Sequence, residues 1–357
     1  MSPPPVSASK RALKIVVMGT GPFAVPMFQA IVQSPHAVAA VVTRPAHAPA
    51  GRRPPPNPMR DVAEAAGVPI LAPERINDPE AIAAVAALSP DLLVVCDYGQ
   101  ILSPAALAVA PYGGINLHGS LLPRHRGAAP VQWAILAGDA STGVSVIHMT
   151  PALDAGNVIA VRETPIGGTE TAPELEHRLA AMGVDAVLEA IDLLVAAGPY
   201  ATPGVPQDPA RVTRAPRLAK ADGIVDWSLS AARIARMRRA LEPWPRTATF
   251  LHAGAERPPV RVVLEDVAVI DESAADRAPD LAVAPGLTPG SILSADAAGL
   301  VVACGEHTRL VVRRLVPEGK RSMTAAEFAR GHALFSTARF GNGVSETVPG
   351  TKFRELR

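Results

Sequence analysis

The sequence has little cysteine: it contains two, Cys96 and Cys304, which lie far apart in a chain of 357 residues. Two distant thiols exclude a disulfide framework and a cysteine-bound zinc site, and they favour a reducing, cytoplasmic location. The chain also lacks a run of about 18 apolar residues, the length that a membrane-spanning helix needs. We therefore expect no membrane segment and no membrane partner.

The amino terminus lacks the apolar core of a secretory signal and carries three basic residues by Lys14 with no acidic one. This pattern is compatible with a transit peptide, but the proline-rich start favours a disordered extension over residues 1–12. Charged residues are also few, at 19% against 48% hydrophobic. This composition excludes wholesale disorder, and the length predicts about two domains at roughly 150 residues each.

The charge of the chain is unevenly distributed. Residues 1–210 hold 12 Lys and Arg against 17 Asp and Glu, a net −5, whereas residues 211–357 hold 22 against 16, a net +6. A basic half beside an acidic half favours a polyanion partner for the second half and chemistry in the first. An ordinary solvated surface explains the same charges equally well.

Strand and helix patterns alternate through the first half. Buried-strand patterns at 14–19, 37–43, 91–96, 114–118 and 144–149 are separated by helical patterns, the last of them at 174–195. Strands without alternating polar faces predict a parallel sheet covered on both sides, which binds ligands at the carboxyl ends of its strands. We therefore predict a Rossmann-like, doubly wound α/β domain over residues 13–198.

The pattern changes after Ala196. Residues 199–215 are rich in Pro and Gly without a period, which predicts a linker. A helix is predicted over 230–241, and five β-rich runs follow it between 248 and 315. Five short strands predict an OB-like β-barrel over 216–345, followed by a tail over 346–357. The Ala-, Asp- and Pro-rich stretch 266–289 is interpreted as an exposed insertion in the barrel.

A glycine-rich turn follows the first strand. Gly19-Thr20-Gly21-Pro22-Phe23-Ala24 is a truncated dinucleotide-binding pattern, and Arg44 after the second strand suits a 2′-phosphate. Pro22, however, removes a backbone N–H where a pyrophosphate needs donors. The turn is therefore interpreted mainly as a tight entry into a helix, with an NADP-dependent oxidoreductase left as an alternative.

The densest polar segment lies at the end of the 114–118 strand. Asn116 and His118 are two residues apart, so both side chains leave the same strand face, and an irregular loop follows them. A carboxamide donates to a developing oxyanion, and an imidazole accepts a proton near neutral pH. Asp154, in a turn after the next strand, adds a carboxylate that orients or polarises the imidazole. Together they suit acyl transfer.

Other chemistries fit these residues less well. His118 and His125 lack further ligands at metal-binding spacing, so we expect no metal. Cys96 is interpreted as a small buried hydrophobe and His148 as structural. Ser120 lacks the G-x-S-x-G pattern of hydrolases.

At these residues the sequence resembles the formyltetrahydrofolate-dependent formyltransferases. The strings INLHGSLLPRHRGAAPVQ and LDAGNVI carry the resemblance, and GTGPFAVP, VVCDYGQIL, GDASTGVSVIHM, IVDWS, EPWP and PEGKRSM follow in the family's order. The resemblance covers residues 14–330. It implies formyl transfer from the co-substrate 10-formyltetrahydrofolate to the methionine amine of a charged initiator tRNA. We also expect the chain to act as a monomer.

The resemblance also implies roles for individual residues. Asn116 holds the oxyanion, His118 manages the amine proton, and Asp154 is its electrostatic partner. The folate-contacting residues that it implies are Ser120, Leu121, Leu122, Pro123, Val95, Tyr98, Gln100, Ile101 and Leu102.

Nucleic-acid contacts are expected from the basic second half and from the loop over residues 44–58. The candidate phosphate contacts are Arg52, Arg53, Lys220, Lys320 and Arg321. The loop departs from the family pattern, because one arginine and stiff prolines stand where lysines are usual. Family relatives that formylate glycinamide ribonucleotide or a nucleotide-linked amino sugar stay as alternatives, as does a non-catalytic RNA-binding protein.

Overall fold

The computed structural model describes residues 11–46, 55–254, 257–270, 287–332 and 338–343. The chain divides into two compact units. The first comprises 1–130, 141–165 and 174–216, and the second comprises 131–140, 166–173 and 217–357.

The first unit is built on a seven-stranded sheet in the order β3-β2-β1-β4-β5-β7-β8, beside a short two-stranded β6-β9 pair. The central strands are nearly uninterrupted apolar runs with buried side chains, as a strand covered on both faces requires. The strands are β1 (Lys14–Met18), β2 (Ala37–Val42), β3 (Ile70–Leu71), β4 (Leu92–Val95), β5 (Gly114–His118), β6 (Arg126–Gly127), β7 (Ser141–His148), β8 (Val158–Pro165) and β9 (Arg214–Ala215).

The predicted α/β sheet is confirmed, but it is not wholly parallel. Strands β3, β2, β1, β4 and β5 run parallel, whereas β7 pairs antiparallel with β5 and β8 antiparallel with β7. The sequence prediction omitted β8, because its outer half alternates exposed and half-buried residues at the sheet edge. Antiparallel pairing needs no crossover helix, so β7 and β8 follow each other directly.

The helices predicted over 174–195 and 230–241 are both present, with ends shifted by one or two residues. Asn57 begins α2 by accepting a hydrogen bond from the backbone N–H of Arg60, and Asp78 occupies the N-cap of α3 without a side-chain bond. The predicted turn after β1 is a 3₁₀ helix over Pro22–Ala24 that leads into α1. The helices are α1 (Val25–Gln33), α2 (Pro58–Ala65), α3 (Pro79–Ala87), α4 (Pro104–Leu107), α5 (Pro130–Ala137), α6 (Ala172–Ala197), α7 (Ala231–Ala240) and α8 (Ala325–His332).

The second unit holds an antiparallel sheet in the order β12-β13-β14-β11-β10-β16, with β15 paired to β14. A bridge between Ser291 and Arg339 joins its two edges, so the sheet curls back on itself. The five predicted strands correspond to β10–β14, and β15 and β16 were too short to predict. The strands are β10 (Ala248–His252), β11 (Val260–Val269), β12 (Ile292–Asp296), β13 (Gly299–Ala303), β14 (Arg309–Pro317), β15 (Met323–Thr324) and β16 (Arg339–Gly341).

The interior of this curled sheet is apolar. Trp227 stacks on Phe340 with ring centroids 5.6 Å apart, and its indole N–H donates to Thr249 Oγ1 at 2.9 Å. Helix α7 packs against the sheet through buried Ile234 and Met237. The predicted insertion over 266–289 begins within β11, and its residues 271–286 lie outside the described part of the chain.

Candidate active site

The sheet places Asn116 and His118 at the carboxyl end of β5, as the sequence predicted. Asn116 pairs with Val95 of β4, and His118 pairs with Ser145 of β7. Asn116 is half-buried, whereas His118 is only 6% exposed. Alternation along the strand sends both side chains to one face of the sheet.

One hydrogen bond fixes the orientation and tautomer of the His118 ring. Nε2 lies 2.9 Å from the backbone carbonyl oxygen of His125. A carbonyl oxygen only accepts, so Nε2 carries the hydrogen. In the neutral ring the lone pair therefore lies on Nδ1, which is left to accept a proton.

The His125 carbonyl is held in place by an unusual backbone conformation. His125 has φ of 59°, in the left-handed region that non-glycine residues seldom occupy. Its N–H donates to Thr213 Oγ1 at 2.8 Å, and the next residue, Arg126, donates its N–H to the Thr213 carbonyl at 2.9 Å. Thr213 lies in the segment predicted to be a linker, so part of that segment is docked on the catalytic loop.

Asp154 lies close to the free nitrogen of His118. Its Oδ2 atom is 3.8 Å from His118 Nδ1 and accepts a 2.9 Å hydrogen bond from the backbone N–H of Gly127. A separation of 3.8 Å is too long for a hydrogen bond but close enough for strong electrostatic interaction, because Asp154 is only 11% exposed. The carboxylate therefore faces the ring nitrogen whose lone pair is left free.

The Asn116 carboxamide makes no hydrogen bond to any other side chain or backbone group that the structure describes. A half-buried amide without a partner is unfavourable unless a ligand or water completes it. Its N–H₂ group can donate to an oxygen that gains negative charge near His118. The structure thus brings together the three residues predicted to be catalytic.

The loop after β5 is held by its own polar groups. Ser120 is fully buried, and its hydroxyl donates to the Arg124 carbonyl at 2.7 Å. The hydroxyl of Ser145 in β7 joins two residues of this loop, because it donates a hydrogen bond to the Ser120 carbonyl and accepts one from the Leu122 N–H. The Ser120 side chain therefore stabilises the loop. Leu122 and Pro123 are also buried, and folate contact at Ser120–Pro123 stays a prediction.

The folate contacts predicted between residues 95 and 102 divide into core and accessible residues. Val95, Tyr98 and Leu102 belong to the apolar core of the first unit. Gln100 accepts from the Ile76 N–H at 2.9 Å and donates to a backbone carbonyl at 3.2 Å. Ile101 is 61% exposed, which leaves it free to contact a planar ligand.

Asp97 is a residue that the sequence analysis missed. It follows β4 in the left-handed conformation, with φ of 49°, and its backbone carbonyl accepts from the Thr20 N–H at 3.1 Å. Burial of the carboxyl and the nearby charge of Glu176 raise the pKa of Asp97 to about 6, although solvent still reaches the side chain. An acidic residue directly after a buried strand was the available signal. Burial also raises the pKa of the Cys96 thiol, which agrees with its interpretation as a buried hydrophobe.

The predicted nucleic-acid contacts are only partly within the described chain. Lys220, Lys320 and Arg321 are exposed in the second unit, the last two in the turn between β14 and β15. Arg52 and Arg53 lie outside the described residues. All five remain predicted phosphate contacts.

Within the described ranges, no three His, Cys, Asp or Glu side chains are grouped closely enough to bind a metal ion. No helix in those ranges combines the length and apolarity needed to cross a bilayer.

An α/β sheet with an amide and an imidazole at one strand end, and a carboxylate from a neighbouring turn beside them, is the arrangement expected of an acyl-group transferase. The chain belongs to the formyl transferase family. The family's first domain, Formyl transferase, matches residues 13–191, and its C-terminal domain matches residues 217–333.

Relatives align along nearly the whole chain. A methionyl-tRNA formyltransferase from Rhodopirellula baltica is 48% identical over 331 residues, which cover 90% of this chain and 95% of the relative. One from Anaeromyxobacter dehalogenans is 41% identical, with 89% of this chain and 97% of the relative covered.

Solved structures share the fold at low identity. HypX from Aquifex aeolicus in complex with tetrahydrofolic acid aligns with a TM-score of 0.55 and 14% identity, covering 89% of this chain and 47% of HypX. An N-formyltransferase from Helicobacter canadensis, in complex with folinic acid and dTDP-3-aminofucose, aligns with a TM-score of 0.56 and 12% identity, covering 84% of this chain and 98% of its own.

Proposed function

We propose that this chain transfers the formyl group of 10-formyltetrahydrofolate to the amino group of methionyl-tRNA, giving N-formylmethionyl-tRNA. The observation that carries the proposal is the alignment with methionyl-tRNA formyltransferases across both domains, at 48% identity over 90% of the chain. The arrangement of Asn116, His118 and Asp154 supports it independently, because it offers an amide donor, a proton acceptor and a nearby carboxylate at the end of β5. The initiator tRNA is the proposed substrate.

The residues present fit the folate co-substrate. When bound, 10-formyltetrahydrofolate supplies an electrophilic formyl carbon to the site. The unpartnered Asn116 amide meets the need of its carbonyl oxygen for a donor, and exposed Ile101 offers an apolar contact for its ring system.

Asn116 stabilises the charge that develops as the methionine amine bonds to the formyl carbon. Electrons of the carbonyl double bond move onto the formyl oxygen, and the Asn116 N–H₂ group donates to that oxygen. A single preorganised donor of this kind typically lowers a barrier by about 2.7–4 kcal/mol.

His118 manages the proton. Its Nδ1 lone pair removes a proton from the attacking nitrogen, while Nε2 keeps its hydrogen bond to the His125 carbonyl. Asp154, 3.8 Å from Nδ1, stabilises the imidazolium that results. The imidazolium then returns the proton to the departing folate nitrogen, so His118 ends the cycle neutral.

The second unit is the proposed tRNA-docking module. Residues 211–357 carry a net charge of +6, and Lys220, Lys320 and Arg321 are exposed there. A polyanion partner explains both the charge and its exposure.

The decisive experiment incubates the purified chain with 10-formyltetrahydrofolate and charged initiator methionyl-tRNA, and detects formylmethionine by mass after deacylation. Elongator methionyl-tRNA, glycinamide ribonucleotide and a nucleotide-linked amino sugar are offered in parallel. Preferred formylation of the initiator tRNA is the expected result. Formylation of a small amine alone would instead assign the chain to another branch of the family.

Two finer statements belong to the same proposal: the chain acts as a monomer, and it acts in the cytoplasm. Sedimentation of the purified chain tests the first. Fractionation of the cells that produce it tests the second.

A further inference from the structure

The turn that carries Asp154 has little hydrogen bonding of its own. Asp154 has φ of 51°, in the left-handed region that non-glycine residues seldom occupy. Within the turn, Thr150 Oγ1 donates to the Ala152 carbonyl at 3.0 Å, and the Ala155 N–H donates to the same oxygen at 3.4 Å. The position of the Asp154 carboxylate therefore depends on contacts from other segments.

The Gln207 side chain supplies several of these contacts. Its Nε2 group donates to the carbonyl oxygens of Asp154 and Gly156, both at 2.8 Å. Its Oε1 atom accepts two hydrogen bonds from the guanidinium of Arg126, from Nε at 3.0 Å and from Nη2 at 2.7 Å. A carboxamide offers two N–H donors and two acceptor lone pairs, so the whole capacity of Gln207 is used.

Arg126 belongs to the segment that holds the catalytic pair from the other side. The residue before it, His125, accepts a hydrogen bond from His118 Nε2 through its backbone carbonyl. The residue after it, Gly127, donates its backbone N–H to Asp154 Oδ2. Loss of water and the neighbouring Arg214 lower the pKa of Arg126, whereas Asp154 acts to raise that pKa. The Arg126 charge therefore lies close enough to interact with the Asp154 carboxylate. Gln207 thus joins the two segments that grip the His118–Asp154 pair.

The backbone around Gln207 is itself anchored. Val205 and Val158 exchange two hydrogen bonds of 2.9 Å, which tie the chain before Gln207 to the start of β8. Thr213 ties the chain after Gln207 to His125. The carboxamide is therefore held at a fixed place.

We propose that Gln207 is a positioning residue for formyl transfer, which sets the Asp154 carboxylate against His118 by clamping the Asp154 turn to the Arg126 segment. The proposal rests on the proposed function. Gln207 touches neither reacting group, and it acts through Asp154.

Two substitutions separate the parts of the clamp. Gln207→Met keeps the length of the side chain and removes all four hydrogen bonds. Gln207→Glu keeps an acceptor for Arg126 but has no donor, so a carboxylate oxygen meets the carbonyls of Asp154 and Gly156. Asn157→Ala is the matched control, because Asn157 also ties this turn to the 199–215 segment, through a 3.2 Å bond to the Thr202 carbonyl, without touching the clamp.

Steady-state kinetics with methionyl-tRNA and 10-formyltetrahydrofolate test the proposal. We expect both Gln207 variants to lower kcat by about tenfold or more with the KM of each substrate changed less than about threefold. Asn157→Ala keeps kcat within about threefold of the wild-type value. In an Asp154→Asn background, Gln207→Met should have little further effect, because a residue that acts through Asp154 has nothing left to position.

The outcomes distinguish failure of the Gln207 proposal from failure of the proposed formyltransferase function. A wild-type chain that formylates no tRNA contradicts the proposed function. An active wild-type chain whose Gln207 variants keep their kcat overturns the clamp. A Gln207→Met loss that persists in full in the Asp154→Asn background also overturns it, because the effect then does not pass through Asp154.

Discussion

The carboxylate of Asp97 occupies the space that a side chain at Gly21 would need. A Cβ atom built on Gly21 would lie 1.7 Å from Asp97 Oδ2. The backbones are linked next to this contact, because the Thr20 N–H donates to the Asp97 carbonyl at 3.1 Å. The loops that follow β1 and β4 therefore have matched residues at the carboxyl edge of the sheet, where the predicted catalytic residues lie.

Gly21→Ala should destabilise the fold, because the new methyl group would overlap the Asp97 carboxylate. Gly21 is extended, with φ of −85°, so alanine fits its backbone. The new methyl group forces the carboxylate away, and we expect a loss of about 1–2 kcal/mol in the free energy of unfolding, measured by urea denaturation. Adding Asp97→Gly should restore most of the loss. Equal instability of the single and double variants would show that Asp97 is not the obstacle.

Asp97 should make stability depend on pH. Its pKa is raised to about 6 by burial and by Glu176, so the folded state disfavours the ionised carboxyl. Stability is thus greatest below the ordinary pKa of aspartate and falls as the pH rises towards 6. Asp97→Asn, which also tolerates the left-handed backbone, should raise Tm more at pH 8 than at pH 4.

Glu176→Gln is the companion to this measurement. This substitution removes one cause of the raised pKa of Asp97. The loss of stability with rising pH should therefore end at a lower pH in the Glu176→Gln variant than in the wild-type chain. A Tm gain for Asp97→Asn that is the same at both pH values would contradict the assignment.

The sequence predicted the catalytic strand because its signal is local. Asn116 and His118 interrupt an apolar strand, and polar groups there are unfavourable unless they are used. The neighbours that orient them are not local. His125 and Thr213 meet only because the 205–215 segment folds back, and two short pairings, at Val205 and at β9, leave no periodic pattern to read.

The mixed sheet shows the same limit. The inner strand β7 is buried along nearly its whole length, and most of it was predicted from its apolar second half. Strand β8 has Val161 and Glu163 facing outwards at an edge, where exposed residues are compatible with either a strand or a loop. Its pairing with β7 decides the structure, and that pairing is tertiary.

Substitutions at the two β5 residues should abolish most activity without unfolding the chain. We expect Asn116→Ala and His118→Ala each to lower kcat by about 100-fold, or about 2.7 kcal/mol at the barrier. His177→Ala, in an exposed histidine of α6, is the matched control and should leave kcat unchanged. Wild-type turnover in either catalytic variant, with the fold verified by Tm, would contradict the assigned roles.

Arg52 tests the loop over residues 44–58. If it reaches the acceptor end of the tRNA, Arg52→Ala should reduce turnover of methionyl-tRNA more than it reduces folate binding. Kinetics and a folate titration on the same protein make the comparison. Equal losses would place Arg52 in the folate site, and no loss in either would leave the loop without a substrate contact.

The basic residues of the second unit should govern the salt dependence of tRNA binding. Each phosphate contact contributes about 0.7–0.9 to the slope of log K against log salt concentration. Lys320→Ala and Arg321→Ala, which remove exposed charges in the β14–β15 turn, should each flatten the slope by about this amount. Arg162→Ala is the control, because Arg162 forms an ion pair with Glu189 in the first unit and so has its charge already engaged. An unchanged slope in the Lys320 and Arg321 variants would remove the β14–β15 turn from the tRNA surface, and the net +6 of residues 211–357 would then have to act through other residues.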